Sequence, residues 1–400
     1  MGMRTSVHRG IHAPPSVAVV STYPPTRCGI ATFSAALVGA LRAQEATRDV
    51  AVMALGDATV RSGGEIIGGL VRGGEHDLDR AAAALRAFDV VIVQHEYGIY
   101  PGADGVAVVG LLDRLNRMGR PAITVLHTVL EHPTPSQRVV LEQVLDRSAA
   151  TVVMAAVARD RLLERYAVDG ARIHVIPHGA SVPLDIMPDR ADDRPTLLTW
   201  GLLGPGKGVE VAIDALAQLR GIGPRPRYIV AGETHPKVRD LHGESYRDML
   251  VARARDRGVA AQVEFVDRYL DRQALTALIR QADVVVLPYE SHEQVTSGVL
   301  VDAVACGRPV VASAFPHAVE LLGRGAGITV PHNDAAALAA ALRTVLDDPA
   351  TAATLRDGAR DIAPELSWNS VAQRYLRLAR GLMRTARVGE RGATAVAARS

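Results

Sequence analysis

Along the chain, short continuous apolar runs alternate with longer segments of helical period. The runs Ser16–Val20, Val50–Leu55, Val90–Gln94 and Ala122–Leu126 lack the in-out alternation of a half-buried strand. They predict strands covered on both faces. Apolar positions recur at helical spacing over Ile30–Ala43, Ala81–Phe88 and Leu111–Met118, while Thr151–Met154 and His174–Pro177 add two more strand-like runs. The glycine-rich stretch 56–74 reads as loop with one short strand. Strands alternating with helices over this length predict a parallel, doubly wound α/β sheet.

The segment His178–Arg194 is rich in Pro and Asp and holds no sustained period, so it reads as an interdomain linker. The pattern then restarts. Strands are predicted at Leu197–Trp200, Arg227–Ala231, Val263–Val266, Val284–Leu287, Val310–Ala312 and Ile328–Val330. Helices are predicted at Val209–Leu219, Tyr246–Asp256, Arg272–Gln281 and Ala335–Leu346, a loop at Phe315–Gly327, and closing helices near Ala353–Arg360 and Val371–Arg384. Two Rossmann-like domains are therefore expected, residues 1–185 and 186–366, facing a cleft with the linker as hinge. A further helix covers 367–387, and the tail 388–400 is expected to be disordered.

One stretch organises the rest. Ala282–Ala314 reads as a buried strand, a polar loop from Tyr289 to Thr296, a Ser297–Gly298 step into an apolar helix ending at Gly307, and a second buried strand. Open α/β sheets place ligands at the carboxyl ends of strands, against helix N-termini that suit phosphate. The loop is thus the expected active site. A second element of the same kind lies at the front of the chain, where Pro24–Pro25 enforce an extended turn and Gly29 precedes a helix.

Composition narrows the chemistry. The chain has 400 residues, 48% of them hydrophobic and 22% charged, with a net charge of +2, which argues against a dedicated nucleic-acid binder. Lysine occurs only at Lys207 and Lys237, the other cations being arginine, so a lysine between Gly206 and Gly208 stands out. Cys28 and Cys306 are too few for a disulfide framework. No apolar run reaches the roughly 18 residues of a membrane span. The N-terminal segment lacks a secretory apolar core, and a cytoplasmic protein is the expectation.

Several motifs, in this order and spacing, carry a resemblance. They are Gly29-Ile30-Ala31-Thr32-Phe33, Pro177-His178-Gly179, Gly201-Leu202-Leu203 with Lys207-Gly208, Ala282 to Pro288, Ala303 to Ala312, and Ser367-Trp368. From about Val17 to Arg384 the chain resembles the family 4 glycosyltransferases, retaining enzymes of the GT-B type. The resemblance implies two Rossmann-like domains with the C-terminal helix crossing back to the first, Trp368 anchoring the crossing. It implies transfer of a hexose from a nucleotide sugar to an acceptor hydroxyl with retention of configuration. GDP-mannose is the favoured donor, with UDP- and ADP-sugars as alternatives.

The resemblance also assigns residues. Relatives carry two glutamates seven residues apart, and here those positions fall on Gln294 and Asp302. Gln294 is placed at the donor sugar, without the charge of a glutamate; Glu290 and Glu293 are the neighbouring carboxylates that can supply it. Asp302 is placed at the ribose, where a carboxylate accepts from two hydroxyls. Leu202 stands where relatives carry an arginine, leaving Lys207, with Arg27 as a substitute, to meet the diphosphate. Ser297, Gly298 and Val299 at one helix start, and Gly29 at another, offer amides to phosphate. His127 is placed at the donor sugar, Thr234 beside the donor base, and His95, His317 and Glu320 near either ligand.

No cofactor or metal is expected beyond the nucleotide-sugar co-substrate. The Asp77–Asp79 pair lies in the first domain and reads as a helix cap. The partners expected are the donor and a carbohydrate or lipid-linked acceptor, with no nucleic acid, in a monomer or homodimer. Peripheral membrane contact is left open, with no strongly basic amphipathic helix read along the chain. Competing readings are a sugar epimerase, a glycoside phosphorylase of related fold, a sugar-binding protein, and a catalytically weak nucleotide-binding relative.

Overall fold

The structure is a computed structural model that describes residues 14–26, 28–56, 65–181, 194–219, 221 and 223–397, the side chains of 386–397 excepted. Arg27 and most of the expected linker lie outside the described residues. The first half runs β1 (Ser16–Ser21), α1 (Gly29–Arg42), β2 (Asp49–Leu55), β3 (Ile66–Leu70), α2 (Glu75–Leu85) and β4 (Val90–His95). It continues through α3 (Ala107–Arg117), β5 (Ala122–Leu126), α4 (Pro135–Arg147), β6 (Ala150–Val153), α5 (Ala156–Arg165) and β7 (Ile173–Val175). These strands form a seven-stranded sheet in the order β3-β2-β1-β4-β5-β6-β7, and β1 to β6 pair in parallel within it. Every residue of β1, β4 and β5 is buried. Helices cover both faces, which is why the sequence shows apolar runs and not alternation.

The second half holds β8 (Thr196–Trp200), α6 (Val209–Gln218), β9 (Arg227–Ala231), α7 (Pro236–His242), α8 (Ser245–Asp256), β10 (Val263–Val266) and α9 (Arg272–Gln281). Then come β11 (Val284–Leu287), α10 (Gly298–Ala305), β12 (Val310–Ser313), α11 (Pro316–Leu322), β13 (Gly327–Val330), α12 (Ala335–Asp347), α13 (Pro349–Leu366) and α14 (Trp368–Ala397). The six strands order as β10-β9-β8-β11-β12-β13, all parallel. Two doubly wound α/β domains are thus present. In each sheet the order reverses beside the first strand of its domain, between β1 and β4 and between β8 and β11. Loops leave in opposite directions there, and doubly wound folds keep their ligand crevice at that point.

The chain divides into two compact units. One comprises Met1–Leu126, Thr134–Val152 and Ala372–Ser400; the other comprises His127–Pro133 and Val153–Val371. The chain therefore returns at its end to the first unit, the crossing that the resemblance implies. At the turn into α14 the backbone of Ala180 accepts from Trp368 and donates to Leu366, at 3.1 and 2.7 Å. A Cβ on Gly179 would lie 2.2 Å from the Trp368 ring, so only glycine admits this indole.

Several elements differ from expectation. Helix α14 runs to Ala397, past the point where the sequence reading ends it, because Ala and Arg dominate there and the two glycines are isolated. Helix α4 occupies a segment where no element is expected, with Thr134 and Gln137 forming a capping box and Pro135 in its first turn. Helix α11 occupies the expected Phe315–Gly327 loop and also opens on a proline. Asp77 does not cap α2, whose N-cap is Gly74. Its carboxylate instead accepts from the amides of Val71 and Arg72 at 3.1 and 2.7 Å, tying down the preceding turn. Among the described residues, no helix is long and apolar enough to cross a membrane.

Candidate active site

The loops after β8 and β11 meet at the reversal of the second sheet. Gly208 has a φ of 63°, and a Cβ there would fall 1.8 Å from the carbonyl oxygen of Pro288. Glycine at this position lets the loop after β8 close against the end of β11. The amide of Glu290 donates to the Gly206 carbonyl at 3.0 Å, joining the two loops a second time. Lys207, between these anchors, holds its Nζ 4.4 Å from the centroid of the Tyr289 ring. That ring is buried and stacks on Phe315 at 5.4 Å, so the ammonium is positioned by a fixed aromatic face.

Helix α10 starts at the far side of the same loop. Ser297 is its N-cap: Oγ accepts from the Leu300 amide at 3.3 Å, and the Ser297 carbonyl accepts from Val301 at 3.2 Å. The amides of Gly298 and Val299 have no acceptor among the described residues, as first-turn donors do unless a ligand or water meets them. A Cβ built on Gly201 would sit 4.0 Å from the side chain of Val299, so the β8 loop runs beside this helix start. Gly298 is itself crowded. A Cβ there would lie 2.8 Å from Nε2 of His178.

Two histidines, His317 buried and His178 half-buried, brace the start of α10. Nδ1 of His317 accepts from the Ser297 amide at 2.9 Å, which puts its proton on Nε2, and its own amide donates to the Gln294 carbonyl at 3.3 Å. His178 directs Nδ1 to the carbonyl of Gly179 at 2.7 Å and rests near the Trp368 ring. Burial lowers the pKa of His178 to about 4 and that of His317 to about 3, His178 adding to the latter effect. Both are neutral at physiological pH. Asp302, one turn into α10, is shifted the other way. Burial raises its carboxyl pKa to about 7, against a smaller opposing pull from Arg272. Its side chain has no hydrogen-bond partner among the described residues and keeps partial exposure.

The other expected residues divide. Gln294 donates from Nε2 to the Thr296 carbonyl at 3.0 Å, bracing its own loop. Thr234, after β9, is buried and gives its hydroxyl proton to the Glu244 carboxylate. Glu320 is committed elsewhere: its two oxygens accept from the amides of Ala156 and Val157 at 2.8 Å each, capping α5. Gly29 is the first residue of α1, with Cys28 Sγ accepting from Ala31, and a Cβ on it would meet nothing within 4 Å. His127 follows β5 and is half-buried. His95 ends β4 at 1% exposure, its two ring nitrogens without a hydrogen-bond partner among the described residues and its pKa lowered by burial to about 4.

Arg161 was missed. From α5 its Nη1 donates to the carbonyls of Val129 and Glu293, 2.8 Å each, so it pins the loop that carries Gln294. Its sequence signal is an arginine at an apolar-phase position of α5, a helix the periodicity does not predict. No group of three or more His, Cys, Asp or Glu residues placed to hold a metal occurs among the described residues.

Comparison with known proteins gives these loops a family. Residues 187–362 match the family of glycosyl transferases group 1, and residues 28–182 match Glycosyltransferase Family 4. Both halves of the chain are glycosyltransferase domains. The D-inositol 3-phosphate glycosyltransferase of Jonesia denitrificans is 29% identical over 64% of this chain and 65% of the relative. The glycogen synthase of Mycobacterium tuberculosis is 34% identical over 58% of this chain and 55% of the relative. The chain thus spans between about half and two thirds of the length of these two relatives. Among solved structures, HepE of Anabaena in complex with UDP superposes with a TM-score of 0.72 at 18% identity, over 91% of this chain and 99% of that one. Sucrose-phosphate synthase of Thermosynechococcus elongatus gives 0.71 at 20% identity, over 93% and 100%. At that identity the likeness shows the fold alone, and the fold is GT-B. Lys207, Gln294, Ser297 and Asp302 all fall in the group 1 glycosyltransferase domain.

Proposed function

We propose that this chain is a retaining hexosyltransferase that takes a hexose from a nucleoside-diphosphate sugar to an acceptor hydroxyl. The observation that carries the reading is the pair of open amides at Gly298 and Val299 in a loop system that also holds the Lys207 ammonium. Breaking a sugar–diphosphate bond gathers negative charge on the leaving diphosphate. A helix start and a fixed cation are the groups that stabilise it.

In this reading Lys207 meets the diphosphate as a point charge, and Ser297 presets the α10 N-terminus that hydrogen-bonds to it. Gly29, open above its own Cα, lets phosphate approach the α1 start. Asp302 takes the ribose hydroxyls, whose donation offsets the cost of ionising a buried carboxyl. Gln294 and His127 hydrogen-bond the sugar, and Thr234 lines the base. The leaving phosphate deprotonates the incoming hydroxyl on the same face, which gives retention without a side-chain nucleophile. Charge neutralisation comes from these groups and not from a bound metal.

Two donors are in view. The sequence resemblance favours GDP-mannose; the HepE structures, which hold UDP and UDP-glucose, favour a uridine donor. The test is thermal unfolding with GDP, UDP, ADP and their sugar conjugates, with and without chelator. A ligand at 100 times its Kd adds about 2.7 kcal/mol to stability, a shift of a few degrees for domains of this size. One nucleotide giving that shift, chelator or not, supports the reading and names the base. If none shifts the transition, the nucleotide-sugar reading fails.

A further inference from the structure

Helix α14 carries arginine at positions 374, 377, 380, 384, 387 and 391, spacings of three and four that follow one face of a helix. Between Trp368 and Ala397 the sole carboxylate is Glu390, so this helix contributes +5 to a chain whose net charge is +2. The remainder of the chain therefore sums to −3. The opposite face is apolar: Val371, Ala372, Tyr375, Leu376 and Ala379 are buried. Over its described side chains the helix rests on its apolar side, with Arg377 and Arg384 exposed and Arg374 and Arg380 half-buried.

Several arginines elsewhere in the fold pair with carboxylates. Arg114 pairs with Glu75 and Asp79, Arg247 with Glu244 and Asp267, and Arg253 and Arg257 with Asp214. On α14, Arg377 and Arg384 are exposed and neither has an ion-pair partner among the described residues; Arg380 donates to the Ala46 carbonyl at 3.0 Å. Like charges at this spacing repel one another along a helix. An anionic surface removes that repulsion.

We propose that the arginine row of α14 docks the protein on an anionic lipid bilayer. From 374 to 384 the described row is about 15 Å long at 1.5 Å per residue, which exceeds the reach of a single phosphate group. On its exposed side the described helix carries no aromatic residue of the kind that stacks on nucleic-acid bases, Tyr375 being buried on the other side. A cationic row beside a negatively charged leaflet gains about fivefold in partitioning per arginine, and the gain falls with salt. The docking is independent of catalysis. It rests on the proposed function only in one respect, that it places the transferase where a lipid-linked acceptor resides.

The test uses the full chain in flotation with vesicles of phosphatidylcholine alone and of phosphatidylcholine mixed with phosphatidylglycerol. Binding to the phosphatidylglycerol vesicles, lost at high salt, is the expected result. The double variant Arg377→Gln, Arg384→Gln should bind them about 25-fold more weakly while keeping the wild-type thermal transition and nucleotide shift. Equal binding to neutral vesicles, or vesicle binding untouched by the double variant, overturns the proposal. So does retention of the chain by duplex DNA without any vesicle binding. A chain that binds vesicles but shows no nucleotide shift keeps the docking and loses the transferase reading, so the two failures separate.

Discussion

Lys207 is held by its surroundings more than by its own bonds. The glycines on either side set its loop, Pro288 and Glu290 receive that loop, and the Tyr289 face meets the ammonium. Replacing it with alanine leaves this frame intact and removes one fixed charge, so Lys207→Ala should lower kcat about 100-fold at an unchanged thermal transition. Steady-state rates with the donor named by the thermal screen would check it; undiminished turnover would remove Lys207 from the diphosphate. Gly208→Ala is the contrasting case, since its Cβ meets a carbonyl oxygen and its φ is left-handed. It should lose about 2 kcal/mol of stability by urea titration.

Asp302 is the residue whose chemistry the structure changes most. Its carboxyl rises from 3.8 to about 7 on folding, so the native state holds its proton more tightly than the unfolded chain does. Its contribution therefore favours folding at low pH and is lost as pH rises from about 4 to 7. Asp302→Asn cannot ionise. Above pH 7 it should unfold at a higher temperature than wild type without nucleotide, an advantage that shrinks at pH 5. A pH-independent difference between the two proteins would show that ionisation of Asp302 is not the cause.

At the scale of elements, the decisive piece is the start of α10. Ser297 caps it, His317 receives the Ser297 amide, and Arg161 pins the preceding loop by two carbonyls. Ser297→Ala should cost about 1 kcal/mol in stability. Arg161→Ala touches no proposed ligand contact, so its effect should appear as a raised KM for the donor more than as a lower kcat. The reverse split would mean that the loop is already rigid without it. Much of this was legible. Ser297–Gly298 ahead of an apolar helix is a start signal with its mechanism, and the fold follows from runs such as Val284–Leu287. The partners of Ser297 were not legible, because His317 and Arg161 arrive from α11 and α5, two helices the periodicity did not reveal. Short helices opening on proline, or on no side-chain cap, leave little pattern to read.

At the scale of the molecule, three desolvated histidines make the fold sensitive to acid. His95, His178 and His317 have pKa values near 4, 4 and 3, below the 6.5 of an unfolded histidine. Each favours folding above pH 6.5, and that support is lost as pH falls toward 4. Asp302 works in the opposite direction over much of the same window. The net expectation is a stability that drops between pH 6.5 and 4.5 with a slope of about two protons, read from urea midpoints. A flat profile there would contradict burial of these rings in the neutral form.

The sequence by itself determined that this protein is a pair of parallel α/β domains. Strands buried on both faces must be apolar throughout, and that signal is local. It also located the glycine-flanked Lys207 and the Ser297–Gly298 helix start, whose chemistry is written in adjacent residues. Only the tertiary structure decided which groups are charged and which are occupied. The hydroxyl of Thr234 is given to Glu244, and the carboxylate of Glu320 to α5. The buried carboxyl of Asp302 keeps its proton up to about pH 7. Those outcomes depend on desolvation and on partners brought from distant positions, which no spacing along the chain records.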